Sequence, residues 1–291
     1  MTLSAKPDSR VDTILAKLLP PLEQWLGKAV SEPVARGLIE FLVFGIKQAW
    51  ACLFGGLLLV GIITTAYIYP ETSPLSRYDA LVLYAVAIQV LFLITRLERP
   101  SEALVILIFH IVGTLMEIFK TNVGSWTYPE ESLLRIGDVP LFSGFMYAAV
   151  GSYLARANRV FDFRWEHYPW RGWTALLAAL IYFNFFTHHY FWDLRYGLFA
   201  ATIVLFWRTK VHYRVWRWRH KMPLLFGFIL VSLFLWIAEN IGTYTRTWLY
   251  PGQGENWHMV SLNKMGSWYL LMILSWVLVT LIHRPRTAQK D

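Results

Sequence analysis

Long apolar runs separated by short polar segments dominate the pattern along this chain. A run of about 20 mostly apolar residues can cross the ~30 Å hydrocarbon core of a bilayer as an α-helix. Hydropathy predicts eight such spans, at residues 49–69, 79–96, 102–121, 139–156, 172–191, 195–210, 223–243 and 266–283. The predicted fold class is therefore all-α, a polytopic membrane bundle of about eight transmembrane helices.

The residues before the first span have a different pattern. Residues 34–47 are apolar but too short and too charged to cross, so we predict an interfacial helix at 37–48 that leads into the first span. Residues 1–36 mix charge with short apolar patches and lack the layout of a cleaved signal peptide. We expect them to form a cytoplasmic N-terminal segment.

The positions of lysine and arginine predict the orientation of the spans. If eight spans alternate in direction, 21 of the 27 lysines and arginines fall on the side that holds both termini. Positive charge accumulates in cytoplasmic loops, so this distribution predicts that both termini are cytoplasmic. The localisation expected is a cell membrane, with the lipid bilayer as the main partner.

The composition agrees with the membrane protein that the hydropathy pattern predicts. Charged residues make up 16% of the chain, below the quarter that is usual for soluble domains. The net charge of +8 arises from residues that lie between apolar segments without a nucleic-acid-binding pattern, so we expect no nucleic acid partner. The basic, aromatic segment 210–221 is typical of an anchor at the membrane interface.

An internal repeat relates the two halves of the chain. Five residues of the first half recur 122 positions later: Glu117, Thr121, Trp126, Tyr128 and Pro129 as Glu239, Thr243, Trp248, Tyr250 and Pro251. Gly144 and Tyr147 recur at the same offset as Gly266 and Tyr269. Because each repeat holds four spans, both halves have the same orientation, which predicts a pseudo-two-fold axis along the membrane normal.

The repeat divides the chain into segments. We predict a first four-helix repeat at 49–156, a cytoplasmic loop at 157–171, a second four-helix repeat at 172–283 and a cytoplasmic tail at 284–291.

Two segments resemble a known family. LFLITRLERPSEALVILIFHIVGTLMEIFKTNVGSWTYPE and LNKMGSWYLLMILSWVLV are similar to an uncharacterised bacterial integral-membrane family, domain of unknown function 817, and the resemblance covers roughly residues 37–283. The resemblance implies a protein of the bacterial cytoplasmic membrane and no particular activity. Pro129, Glu130 and Glu131 also resemble, much more loosely, the carboxylate motif of membrane-embedded lycopene cyclases and carotenoid hydratases.

Two glutamates inside predicted spans are the main candidates for chemistry. Glu117 lies on one helical face with His110 and Thr121, and Glu239 lies on the equivalent helix with Thr243. An intramembrane carboxylate is expensive and usually marks a functional site that faces the bundle interior. We therefore predict Glu117 and Glu239 as catalytic acid–base residues near the non-cytoplasmic face.

Other polar and aromatic residues are predicted near the same face. The predicted ligand-binding residues are His110, Thr121, Trp126, Tyr128, His188, His189, Thr243, Trp248 and Tyr250. Lys120 has no counterpart in the second half, so it could orient a ligand that binds asymmetrically. In the alternative interpretation, each glutamate only accepts hydrogen bonds from the tryptophan and tyrosine that follow it, and so attaches the outer loop to its helix.

Motif searches narrow the function classes. The sequence contains no P-loop, dinucleotide-binding glycine motif or serine-nucleophile elbow, so no soluble cofactor is expected. His and Glu side chains converge from three helices, but the histidine clusters of membrane di-iron enzymes are missing, and no metal is predicted. Three hypotheses stay open: binding of, or acid–base chemistry on, an apolar lipid- or isoprenoid-like molecule; a small-solute or proton-coupled carrier; and a non-catalytic binding or sensory protein.

Overall fold

The protein is mostly helical, and a computed structural model of the chain describes residues 10–282 and 285–287. Within these residues there are ten α-helices and five short strands. The helices are α1 (Arg10–Ala29), α2 (Glu32–Ala51), α3 (Leu53–Ile68), α4 (Arg77–Ile94), α5 (Pro100–Asn122), α6 (Phe142–Val160), α7 (Arg171–Thr187), α8 (Arg195–Phe206), α9 (Leu224–Tyr244) and α10 (Asn263–Ile282). The strands are β1 (Arg135–Ile136), β2 (Val139–Pro140), β3 (Arg164–Glu166), β4 (Lys210–Arg214) and β5 (Arg219–Pro223).

A helix lies at the position of each predicted span, from α3 to α10. Four helices, α4, α5, α9 and α10, are long and apolar enough to cross a membrane, and the bent pair α2–α3 makes a fifth candidate. The helix α8 has only 12 residues, because the chain leaves the helix at Trp207 and enters β4 at Lys210. The structure thus supports an apolar helical bundle compatible with a membrane, with fewer long spans than hydropathy predicts.

Outward-facing apolar side chains cover the long helices. Only 22% of the spanning window of α9 is buried inside the protein. Its exposed residues are large and apolar, for example Phe234, which is 70% exposed. On α4, Ile94 is 74% exposed. Such a surface is typical of helices that face lipid, since water would make it an aggregation liability.

The N-terminal part contains more helix than the sequence predicts. The helix α1 lies within the segment 1–36, and α2 is longer than the interfacial helix predicted at 37–48. The α2–α3 pair bends by 69° at Cys52. Lys47 on α2 pairs with Asp12 on α1, with 2.8 Å between the ammonium and the carboxylate, and this buried pair joins the two helices.

The antiparallel neighbours α5 and α6 form the closest helix pair of the bundle. Gly113 on α5 faces Tyr147, and Gly144 on α6 faces His110 and Thr114. Gly151 faces Phe109 in the same interface. Without a Cβ at these positions the two backbones can approach closely, as small residues permit in membrane helix pairs.

The helices connect alternately at two ends of the bundle. At one end, here called the sheet end, β3, β4 and β5 form an antiparallel sheet, and the chain after α10 returns to it through a hydrogen bond from the Trp165 amide to the Arg286 carbonyl at 2.8 Å. The sequence predicts a loop at 157–171 and an interfacial anchor at 210–221, where this sheet lies. At the opposite end, here called the loop end, lie residues 123–141, 188–194 and 245–262.

Candidate functional site

Glu117, close to the loop end of α5, accepts three hydrogen bonds from aromatic side chains. The donors are the Trp126 indole at 2.7 Å and the hydroxyls of Tyr128 and Tyr147, each at 2.8 Å. Glu117 is 3% exposed. Two of the donors belong to the loop after α5, and Tyr147 comes from α6. The carboxylate therefore attaches the loop to both helices.

Glu239, on α9, has a similar environment. It is 5% exposed and accepts hydrogen bonds from the Tyr250 hydroxyl and the Trp268 indole. Tyr128 and Tyr250 thus make equivalent hydrogen bonds, 11 residues after their glutamates. The tryptophan donors are not equivalent, since Trp126 lies in a loop and Trp268 lies on α10.

The two carboxylate clusters meet at the loop end. Thr127 and Leu249, which are 122 positions apart, form an antiparallel bridge with two backbone hydrogen bonds of 2.9 Å. The rings of Trp126 and Tyr250 are 6.0 Å apart between centroids. Lys264 places its ammonium 4.2 Å from the Tyr250 ring centroid and 5.4 Å from that of Trp126. A cation therefore lies at the junction of the two clusters.

A second polar cluster adjoins them. The Lys120 ammonium lies 2.7 Å from His189 Nε2 and 3.4 Å from His188 Nε2. It also lies 4.3 Å from the centroid of the Phe185 ring. Lys120 is only 4% exposed, and no carboxylate of the described residues lies within 4 Å of its ammonium. The buried Lys120 side chain is thus held by two imidazoles and an aromatic ring.

The residues between α7 and α8 hold this cluster in place. Asn184 donates to Asp193 at 3.2 Å and accepts from the Leu194 amide at 2.9 Å, so its side chain closes the turn. Burial by itself would raise the pKa of Asp193, but the hydrogen bonds from Asn184 and the Arg195 amide and the charge of Arg195 lower the pKa below its ordinary value. Asp193 is therefore an anion beside the Lys120 cluster at neutral pH.

Several predicted site residues make no hydrogen bond to the carboxylate of Glu117 or Glu239. His110 contacts Phe145, at 4.5 Å between ring centroids, and its buried Nδ1 has no hydrogen-bond partner among the described residues. The Thr121 and Thr243 hydroxyls bond to carbonyls of their own helices, and Thr243 also accepts from the Trp257 indole. Trp248 packs against Gly242. His188 and His189 join Lys120 instead of either glutamate.

Sequence reasoning missed three participants. Tyr147 is one of the repeat identities, and its recurrence as Tyr269 beside the repeated glutamate pattern is the signal that could have identified it. Lys264 and Trp268 have no such signal, because Lys264 has no charged counterpart in the first half and Trp268 resembles the other aromatic residues at helix ends. Glu130 of the cyclase-like motif pairs with Arg77 at 2.6 Å, which ties the loop to α4.

The arrangement can exchange protons and bind polar groups. Carboxylates, phenols, an ammonium and two imidazoles lie within two adjoining clusters, and each can donate or accept a proton. Among residues 10–282 and 285–287, no group of three His, Cys, Asp or Glu side chains is arranged to hold a metal ion.

Comparison with known proteins gives two matches. The family model described as "Protein of unknown function (DUF817)" matches residues 40–276. "Uncharacterized protein YoaT" from Bacillus subtilis (strain 168) is 43% identical over 263 residues, which are 88% of this chain and 98% of that protein. No solved structure matches the chain.

Proposed function

Because the chain belongs to the DUF817 family, whose description assigns no activity, we propose a function from the site itself. The protein is a multi-pass protein of the bacterial cytoplasmic membrane that binds a lipid- or isoprenoid-like molecule at the loop end. Glu117 and Glu239 exchange protons with that molecule. The observation that carries the proposal is the pair of buried carboxylates at repeat-equivalent positions, joined through Trp126, Tyr250 and Lys264.

The proposed architecture has eight spans in two four-helix repeats. The one-to-one agreement between eight helices and eight hydropathy maxima supports this number. The pairing of Thr127 with Leu249 supports the pseudo-two-fold axis, since two equivalent residues pair antiparallel with each other only where such an axis passes between them. Shorter helices such as α8 would still cross the membrane, because neighbouring helices and local thinning of the bilayer would compensate for the missing length.

The loop end is proposed to face away from the cytoplasm. The sheet end carries the arginines and lysines of β3, β4, β5 and their connections, as cytoplasmic segments do. In this orientation the carboxylate clusters lie within reach of the outer leaflet. An apolar molecule could then enter from the lipid without crossing an aqueous barrier.

Attachment of the loops does not by itself require carboxylates. A neutral glutamine would accept hydrogen bonds from indole and phenol donors at a lower cost than a buried carboxylate, which costs several kcal/mol within a membrane. The adjoining cluster of Lys120, His188 and His189 is not part of the attachment of residues 123–141 and 245–262; it joins α5 to the turn after α7. Groups that change protonation state therefore accumulate beyond what the fold needs, as expected for acid–base chemistry.

A proton-coupled carrier is the second candidate, and one observation favours it. His189 is exposed at the loop end, whereas Lys120, its partner at 2.7 Å, is buried. Lys120 is also one helical turn beyond Glu117 on α5, about 4.5 Å along the axis. This series of groups could conduct protons from outside toward the carboxylate. Proteoliposomes under a pH gradient would then take up protons with the wild type and lose that flux with Glu117→Gln.

Mass spectrometry of molecules that co-purify with the protein tests the first proposal. Wild type, Glu117→Gln and Glu239→Gln would be purified in a mild detergent and compared for bound apolar molecules and for thermal stability. We expect both variants to fold with nearly wild-type stability, because glutamine keeps the shape, its oxygen accepts from the indole, and its NH2 group can donate to a tyrosine hydroxyl oxygen. The amount or chemical form of the bound molecule should change, because glutamine cannot exchange a proton.

Tyr128→Phe is the matched control, since it removes one hydrogen bond of the loop and leaves the carboxylate. It should lower stability by about 1.5–3 kcal/mol, the range for a hydrogen bond to a charged group, and leave the bound molecule unchanged. If the glutamine variants instead lose stability like Tyr128→Phe and retain the same molecules as the wild type, the glutamates only attach the loops and the proposal is wrong.

A further inference from the structure

A cavity of about 190 Å³ lies at the sheet end, far from the carboxylate clusters along α5. It is bounded by the start of α5, the end of α6 and the segment after α10. Its lining residues are Arg99, Glu102, Ala155, Asn158, Arg159, Asp162, Phe163 and Arg286. Cationic groups from three separate parts of the chain thus surround one cavity.

Ion pairs within the site neutralise part of the positive charge of these arginines. Arg159 binds Glu102 through two hydrogen bonds, of 2.7 and 3.1 Å. Asp162 accepts from Arg219 at 2.5 Å and also lies 3.3 Å from Arg164 and 3.6 Å from Arg286. Four arginines therefore share two carboxylates, and Arg99 adds a fifth guanidinium, so the site keeps an excess of positive charge.

The two carboxylates of the site, Glu102 and Asp162, are both paired with arginines. Burial would raise the pKa of Asp162, but the hydrogen bond from Arg219 and the charges of Arg164, Arg219 and Arg214 lower the pKa below its ordinary value. Glu102 also accepts the Arg99 amide at 3.0 Å. The guanidinium of Arg99, on an exposed residue, has no carboxylate partner among the described residues, and that of Arg286 has only the distant Asp162. These two side chains can bind a further anion.

We propose that this cavity binds a phosphate group, held by Arg99 and Arg286 and oriented by Arg159 and Asn158. Guanidinium groups match the oxygens of phosphate with pairs of parallel hydrogen bonds. The cavity lies at the start of α5 and the end of α6, and in the proposed eight-span topology these helix ends lie at the depth of the lipid phosphates. Basic pockets between helix ends on the cytoplasmic side bind anionic lipid headgroups in this way. The proposal does not depend on the function assigned to the carboxylate clusters.

Binding to full-length protein in detergent distinguishes the sources of the phosphate. Native mass spectrometry and thermal unfolding would be measured with phosphatidylglycerol, with phosphatidylcholine and with inorganic phosphate. Arg99→Gln/Arg286→Gln is the test variant, because both arginines are exposed and neither holds α5 to α6. We expect it to bind phosphatidylglycerol about tenfold or more weakly, as the loss of two surface arginines implies.

Arg36→Gln is the matched control, since it makes the same kind of charge change at an exposed arginine whose ion pair is with Glu32 within α2. It should bind like the wild type. Retention and stabilisation by phosphatidylglycerol alone supports a lipid headgroup, and equal protection by inorganic phosphate supports a free phosphate ligand. If no anion stabilises the wild type, or the double variant binds as tightly as Arg36→Gln, the phosphate site is refuted.

Discussion

Individual buried charges differ in how the protein compensates them. Glu117 and Glu239 receive hydrogen bonds from neutral aromatic donors, whereas Glu98 is compensated by a cation. Glu98 and Arg156 have side chains that are 0% and 1% exposed, with 2.8 Å between their atoms. Glu98 also accepts from Ser152 at 2.8 Å. A carboxylate that is paired with a buried cation, as Glu98 is, stabilises the fold and has little freedom to exchange a proton.

Removal of Glu98 should therefore be strongly destabilising. Glu98→Ala leaves the guanidinium of Arg156 buried without a counter-charge, and we expect a loss of about 3–5 kcal/mol, visible as a lower midpoint of thermal unfolding. Glu71→Ala, at an exposed position, is the control and should stay within about 0.5 kcal/mol of the wild type. The double variant Glu98→Leu/Arg156→Met should lose much less than Glu98→Ala. Equal stability of the two alanine variants would contradict this account of the ion pair.

At the level of elements, the α5–α6 interface positions the first carboxylate. A Cβ added at Gly113 would lie 2.5 Å from the Tyr147 ring, the same residue that donates to Glu117. The glycine thus allows the close approach that places the Tyr147 hydroxyl on the carboxylate. Helix packing and site geometry are coupled at this position.

The Gly113→Ala substitution should disturb both the α5–α6 packing and the geometry around Glu117. We expect a loss of about 1–3 kcal/mol from overpacking, together with displacement of Tyr147 from Glu117. Gly56→Ala on α3 is the matched control, because a Cβ there meets no atom within 4 Å and alanine favours the helix. Thermal unfolding of both variants in the same detergent checks the prediction. A Gly113→Ala protein as stable as Gly56→Ala would show that α5 and α6 are not closely packed here.

For the whole molecule, the orientation in the membrane decides which solution each cluster faces. Leu133 at the loop end is 88% exposed, and Lys221 at the sheet end is also exposed. Cysteines introduced at these two positions, with Cys52 replaced by alanine, should react with a membrane-impermeant reagent from opposite sides. We expect Leu133→Cys to react in intact cells and Lys221→Cys only after lysis. Reaction of both from one side would contradict the eight-span topology.

The positions of α3–α10 followed from the sequence alone. Residues 223–243 were predicted as a span and α9 is Leu224–Tyr244, because the length of an apolar run is a property of consecutive residues. The hydrogen bonds from Tyr128 to Glu117 and from Tyr250 to Glu239 were also foreseeable, since each pair is close in the sequence and the pattern recurs. Residues that are close in the sequence, and a pattern that occurs twice, were sufficient to predict both the helix positions and these hydrogen bonds.

Contacts between distant segments needed the tertiary structure. The partners of Lys120 are His188 and His189, which are more than 60 residues away. The indole that donates to Glu239 belongs to Trp268 and not to Trp248, the repeat equivalent of Trp126. The sheet of β3, β4 and β5 joins segments that hydropathy presents as loops. Such contacts depend on how each helix is rotated and how closely it packs, which many residues decide together. The sequence therefore determined which segments are apolar helices and which groups could be charged, whereas packing decided which of those groups meet.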